Sequence, residues 1–126
     1  MARMARVVVP GYPQHILQRG SRKQQTFFSP DDYHYYRWLL ATRRRETGVE
    51  VWAWCLMPNH VHLVVVPERE RSLADCCAFV HKRYADRVNT RQGWTGHLWQ
   101  ARYRSFVMDE AHLLAAVRYV ELNPVR

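Results

Sequence analysis

Residues 49–66 read VEVWAWCLMPNHVHLVVV, and their pattern sets the architecture. Val49 to Met57 is rich in β-branched and aromatic residues, as strands are. Pro58 and Asn59 make a turn. His60 to Val66 is a second strand, apolar on both faces apart from its two histidines, which predicts a central, buried position. So short a turn makes the two strands antiparallel neighbours.

Outward from this hairpin the chain alternates strands with helices. Ser29-Pro-Asp-Asp32 has the marks of a helix start, with a capping serine, a proline suited to the first turn and two carboxylates at the positive end of the dipole. That helix is expected over Asp31 to Glu46, stopped by Gly48. Ahead of it, His15 to Arg19 is strand-like and Gly20 opens a polar loop. After the hairpin, Ser72-Leu-Ala-Asp75 resembles a capping arrangement, with Asp in place of Glu, for a helix to about Val88. A turn at Gly93 to Gly96 leads to a strand-like stretch within His97 to Met108. Asp109 caps a last helix that runs to about Leu122, and Pro124 ends it. The order strand, helix, strand, strand, helix, strand, helix predicts an α+β fold, a ferredoxin-like plait with helices packed on an antiparallel sheet. Many unrelated proteins share that plan, so it does not name a function.

The 126 residues suit a single domain with one core. No apolar run approaches the roughly 20 residues needed to span a bilayer, and the start is too short in apolar residues for a secretory signal. The expected location is the cytoplasm, with no membrane partner. Cys55, Cys76 and Cys77 lack metal or redox spacing and read as small buried apolar residues. The charge is more informative. Nineteen Lys and Arg, almost all Arg, face eleven Asp and Glu, for a net +8. Arginine pairs bidentately with phosphate and stacks on flat surfaces, so the bias suits nucleic acid. The 13% aromatic content offers faces for unpaired bases.

His60 and His62 stand two apart on a strand, so both imidazoles face the same way, about 7 Å apart along it. Two neutral imidazoles converging from one strand can share a metal ion. Alone, however, an HxH pair fits two half-buried sheet histidines better, because two ligands do not complete a site. Tyr119 and Asn123 lie four apart on one face of the last helix, beside Ala115 and Ala116. Leu113, Val117 and Val120 form a separate apolar stripe for the core. Taken alone, Tyr119 fits a packing role and Asn123 a helix cap.

Three blocks, LMPNHVHLVV (56–65), GHLWQARYRSF (96–106) and RYVELNPVR (118–126), resemble together and in order the REP-associated tyrosine transposases. These are a branch of the single-tyrosine HUH transposases, and the resemblance spans about His15 to Arg126. It implies a ferredoxin-like, metal-dependent enzyme that cleaves and joins single-stranded DNA beside hairpins. It implies that His60 and His62 are metal ligands, that Tyr119 is the nucleophile, and that Asn123 completes the metal site. The implied ion is Mg²⁺ or Mn²⁺. Family members usually continue past the NPVR block, so the expectation is one domain over 1–126 that lacks their C-terminal tail.

Tyr84 and Tyr103 compete for the nucleophile role but read as packing or base-stacking residues. Trp99, Arg102 and Arg104 are the candidates for gripping DNA by stacking and phosphate contacts. For Trp99 a core position is the alternative. Arg43, Arg44 and Arg45 read as complements to a helix dipole. Two other functions stay open: a relaxase or replication-initiator type of HUH nuclease, and a non-catalytic single-strand binding module on an RRM-like sheet, against which the lack of an RNP-like aromatic motif counts. A homodimer, with the tyrosine serving its own subunit or a partner's, also stays open.

Overall fold

A computed structural model of the chain describes residues 8–109. The predicted last helix, with Tyr119 and Asn123, lies outside them. Within them the order is β1 (Gln14–Arg19), a short 3-10 turn (Ser21–Lys23), α1 (Pro30–Thr47), β2 (Val49–Met57), β3 (His60–Pro67), α2 (Ser72–Gln92) and β4 (Arg104–Val107). The four strands form one antiparallel sheet in the order β2-β3-β1-β4, the ferredoxin-like arrangement. β3 is central, as its doubly apolar pattern predicts.

Strand parity divides the sheet. Ile16, Val61, Leu63 and Val65 pack under the helices with Leu39, Leu73, Val80 and Tyr84. His15, Leu17 and Arg19 share the opposite face with His60, His62, Arg104 and Phe106, because partners across a ladder point the same way. All three cysteines are buried thiols, as expected.

The helix ends differ in detail from the sequence reading. Ser29 precedes α1 but its hydroxyl makes no cap bond. Asp32, in the first turn, reaches back past it: its Oδ2 accepts the Phe28 N–H at 2.8 Å and fixes the chain ahead of the helix. Ser72 is the first residue of α2, and its hydroxyl turns back to accept the Arg69 N–H at 3.0 Å. Gly48 ends α1 in the left-handed conformation, φ 75°, with its N–H on the Arg44 carbonyl. α2 runs one turn beyond Val88, since Asn89 to Gln92 are polar residues that a helix tolerates, and it stops only where Gly93 adopts a positive φ.

The largest departure concerns the segment from His97 to Met108. Only Arg104–Val107 is strand. Residues 98–101 are held by the end of β1 and the loop after it instead. Ser21 N–H bonds the Leu98 carbonyl at 2.8 Å and Gln100 N–H bonds the Arg19 carbonyl at 2.8 Å. The Gln18 and Gln24 side-chain amides donate to the carbonyls of Ala101 and Leu98.

Candidate metal and nucleic-acid site

His60 and His62 project from β3 on the face away from the helices, with ring centroids 4.9 Å apart. The sequence reading of strand parity therefore holds. Asn59 orients His60: its Oδ1 lies 2.7 Å from His60 Nδ1. A carbonyl oxygen can only accept, so the proton sits on Nδ1 and Nε2 carries the lone pair.

A third histidine joins them. His15 of β1 places Nε2 2.9 Å from His62 Nδ1, and the two rings stack at 5.1 Å. Sequence reasoning missed this residue. Its strand was legible, but its partner depends on the register that sets Leu17 opposite His62 and so brings His15 diagonally beside it. Phe106 of β4 faces His15 in the ladder, with ring centroids 6.2 Å apart.

The electrostatics keep these rings neutral. Burial, then the charges that His15, His60 and Arg19 would add, lower His62 to about 4. Burial lowers His15, and burial with Arg19 lowers His60. A neutral imidazole is the form that binds a metal ion. The donor chemistry thus fits a divalent ion at His60 and His62. Among the described residues no group of three His, Cys, Asp or Glu is placed to hold one.

The remaining candidates separate. Trp99 is 8% exposed. Its indole N–H donates to the His81 carbonyl at 3.0 Å and its ring packs on Tyr84. It is a core residue that anchors its loop, and it offers no open face to a base. Arg102 and Arg104 are exposed. The exposed aromatic ring beside the histidines is Phe106, at 48%, with the Arg104 guanidinium 5.8 Å from its centroid. Tyr84 is buried, its hydroxyl donating to the Thr26 carbonyl at 2.6 Å, and burial pushes it far above the usual phenol range. Tyr103 is buried in the same core. Both fit packing roles.

Comparisons with known proteins bear on the fold and the family. The chain is 22% identical over 106 residues to the REP-associated tyrosine transposase of Escherichia coli K12. The match takes in 83% of this chain and 62% of that protein, so the chain spans under two thirds of its curated relative. Its fold matches the structure of a REP-associated tyrosine transposase bound to a REP hairpin, with TM-score 0.75, 20% identity, 98% of this chain and 73% of the other. It also matches a protein of Deinococcus radiodurans R1 described as a candidate transposase, with TM-score 0.64, 18% identity, 99% of this chain and 100% of the other. The family model described as transposase IS200-like matches residues 9–123, nearly the whole sequence. The chain belongs to the IS200-like transposase family.

Proposed function

We propose that the chain is a metal-dependent transposase that cleaves and rejoins single-stranded DNA beside hairpins through a 5′-phosphotyrosine intermediate. The observation that carries this reading is the HxH pair: two neutral imidazoles on one sheet face, one of them oriented by Asn59 with its Nε2 lone pair available. Family membership supplies the reaction class. The relative bound to a REP hairpin makes a DNA hairpin the natural substrate to test.

In this reading His60 and His62 hold Mg²⁺ or Mn²⁺, with Asn123 as a further ligand. The ion, when bound, neutralises and orients the scissile phosphate. Tyr119 is the nucleophile. A phenol has a pKa of about 10, so it must lose its proton to attack. Its oxygen bonds to phosphorus, the bond to the 3′-oxygen breaks, and that oxygen leaves as a hydroxyl on taking up a proton. The phosphotyrosine conserves the phosphodiester, so a 3′-hydroxyl can reverse the step and join strands without ATP. Arg102 and Arg104 grip phosphates.

Incubating the protein with a labelled, hairpin-flanked single strand and Mn²⁺, followed by a denaturing gel, tests the reading. A covalent adduct is expected, lost with EDTA, with His62→Ala and with Tyr119→Phe. An adduct that persists in Tyr119→Phe contradicts it.

A further inference from the structure

Arg19, Arg22, Lys23, Arg102 and Arg104 line a groove of about 670 Å³ between the loop after β1 and the segment leading into β4. No acidic residue lines it among the described residues. Among those residues no carboxylate pairs with Arg19, Arg22, Lys23 or Arg104. Like charges gathered in one cleft repel each other, and an anion filling it removes that repulsion.

The loop that presents Arg22 and Lys23 is held in a conformation that side chains disfavour. Both residues are left-handed, with φ 54° and 61°. The loop is closed tightly: a Cβ on Gly20 would lie 2.2 Å from the Gln24 carbonyl oxygen. Backbone strain of this kind persists where the surroundings over-determine it, which is characteristic of ligand clamps. Here the surroundings are Leu98, through Ser21 N–H and the Gln24 amide, and Asn59.

Asn59 ties the groove to the histidines. Its carbonyl accepts the Gly20 N–H at 2.9 Å, its side-chain amide lies 3.4 Å from the Lys23 carbonyl, and its Oδ1 bonds His60. Arg19 is the ladder partner of His60, and Arg104 that of Leu17, which in turn faces His62. The groove therefore lies beside the histidine pair, with Arg19 and Leu17 of its lining as the ladder partners of His60 and His62.

We infer that this groove is the track for the sugar–phosphate backbone of one DNA strand, with Arg22 and Lys23 as its clamp, delivering a phosphate to His60 and His62. The inference rests on the proposed function for its choice of DNA. A cleft of this volume is of the size that holds a small molecule, which suits a few nucleotides of single strand better than a duplex. Phosphate contacts carry no sequence information, so the track binds any sequence.

The test is fluorescence anisotropy with a labelled 12-nucleotide oligo-dT in EDTA, across a salt series. In Arg22→Gly/Lys23→Gly affinity should fall roughly tenfold. The salt slope should shrink by roughly 1.4, at about 0.7 for each phosphate of a single strand that the variant leaves unneutralised. Glycine accepts the left-handed backbone, so the melting temperature of this variant should not fall. Arg44→Ala/Arg45→Ala, which removes the same charge from α1 on the helix side, should bind like wild type. Equal loss in both variants, unchanged binding in the first, a lack of oligo-dT binding by wild type, or equally sensitive binding of duplex would each overturn the inference. Because no metal is present, the outcome is independent of the adduct assay: wild type forming its adduct while the glycine variant binds normally defeats the groove alone, and the converse defeats the chemistry alone.

Discussion

At the scale of residues, the structure divides three histidines between two tasks. His60 and His62 are the proposed ligands, whereas His15 stacks on His62 and meets its Nδ1. If His62 binds a metal through Nε2, its proton must sit on Nδ1 and be donated to His15 Nε2 at 2.9 Å. Such partners orient a ligand and raise its basicity, and their loss commonly weakens metal binding roughly 10- to 100-fold. His15→Phe should therefore lower Mn²⁺ affinity by roughly that factor, measured by calorimetry without DNA, while His62→Ala removes binding altogether. Unaltered affinity in His15→Phe would reduce the His15–His62 pair to mere packing. The HxH pair was legible because strand parity is local. His15 was not, because its place depends on a pairing register between strands far apart in sequence. Phe106 escaped notice for a related reason. Both it and Trp99 are aromatic residues near arginines, and only the tertiary fold buries one and leaves the other open.

At the scale of elements, α1 and α2 pack against each other with the start of one beside the end of the other. Asp32, buried in the first turn of α1, accepts two bonds from Arg91 in the last turn of α2, at 2.6 and 2.9 Å. Each charge also suits the dipole of its own helix end. Burial alone would raise the Asp32 carboxyl; the Arg91 bonds and charge, the Phe28 N–H and Arg87 outweigh it, and the group sits below its usual range. Breaking a buried pair strands a charge. Arg91→Ala should destabilise the protein by roughly 2 kcal/mol in urea unfolding, less than for a fully buried pair because Arg91 keeps 38% of its side chain exposed. No measurable change would assign the α1–α2 alignment to apolar packing alone. The sequence signals for these helices were nearly complete in their propensities and stops. They could not reveal that the Ser29 hydroxyl makes no cap bond while Asp32 reaches back to the Phe28 N–H. Nor could local pattern reveal that 98–101 would bond to the loop after β1, since strand-like residues paired to a loop look the same in sequence as residues paired to a strand.

At the scale of the whole molecule, the core contains a titratable group with no part in the proposed chemistry. His81 of α2 is buried against Tyr36, their Nε2 and hydroxyl 2.7 Å apart, and burial lowers it to about 3. An unfolded histidine titrates near 6.5. Below that pH the unfolded chain gains a proton that the folded chain refuses, so stability is complete above about 6.5 and falls as the pH drops toward 3, by about 1.4 kcal/mol per unit in the steep part. Urea unfolding across the range from neutral to acid pH should trace this loss. Tyr36→Phe/His81→Leu, which removes both polar partners together, should remove this share of the loss and leave the share that the lowered His62 adds; a slope unchanged in that variant would show that His81 carries none of it. The plait as a whole was readable from the order of its elements, because hydrophobic period and turn chemistry act locally and agree with each other at nearly every boundary.

The proposed chemistry turns on Tyr119 becoming covalently joined to DNA. Mass spectrometry of a tryptic and nuclease digest of the adduct formed with a hairpin-flanked strand and Mn²⁺ addresses this step. Cleavage after Arg118 isolates the peptide YVELNPVR, residues 119–126, which carries Tyr119 as its sole tyrosine. A nucleotide phosphate on that peptide is the expected result. The same mass on a peptide bearing Tyr84 or Tyr103, or no modified peptide from an active preparation, would show that Tyr119 is not the nucleophile.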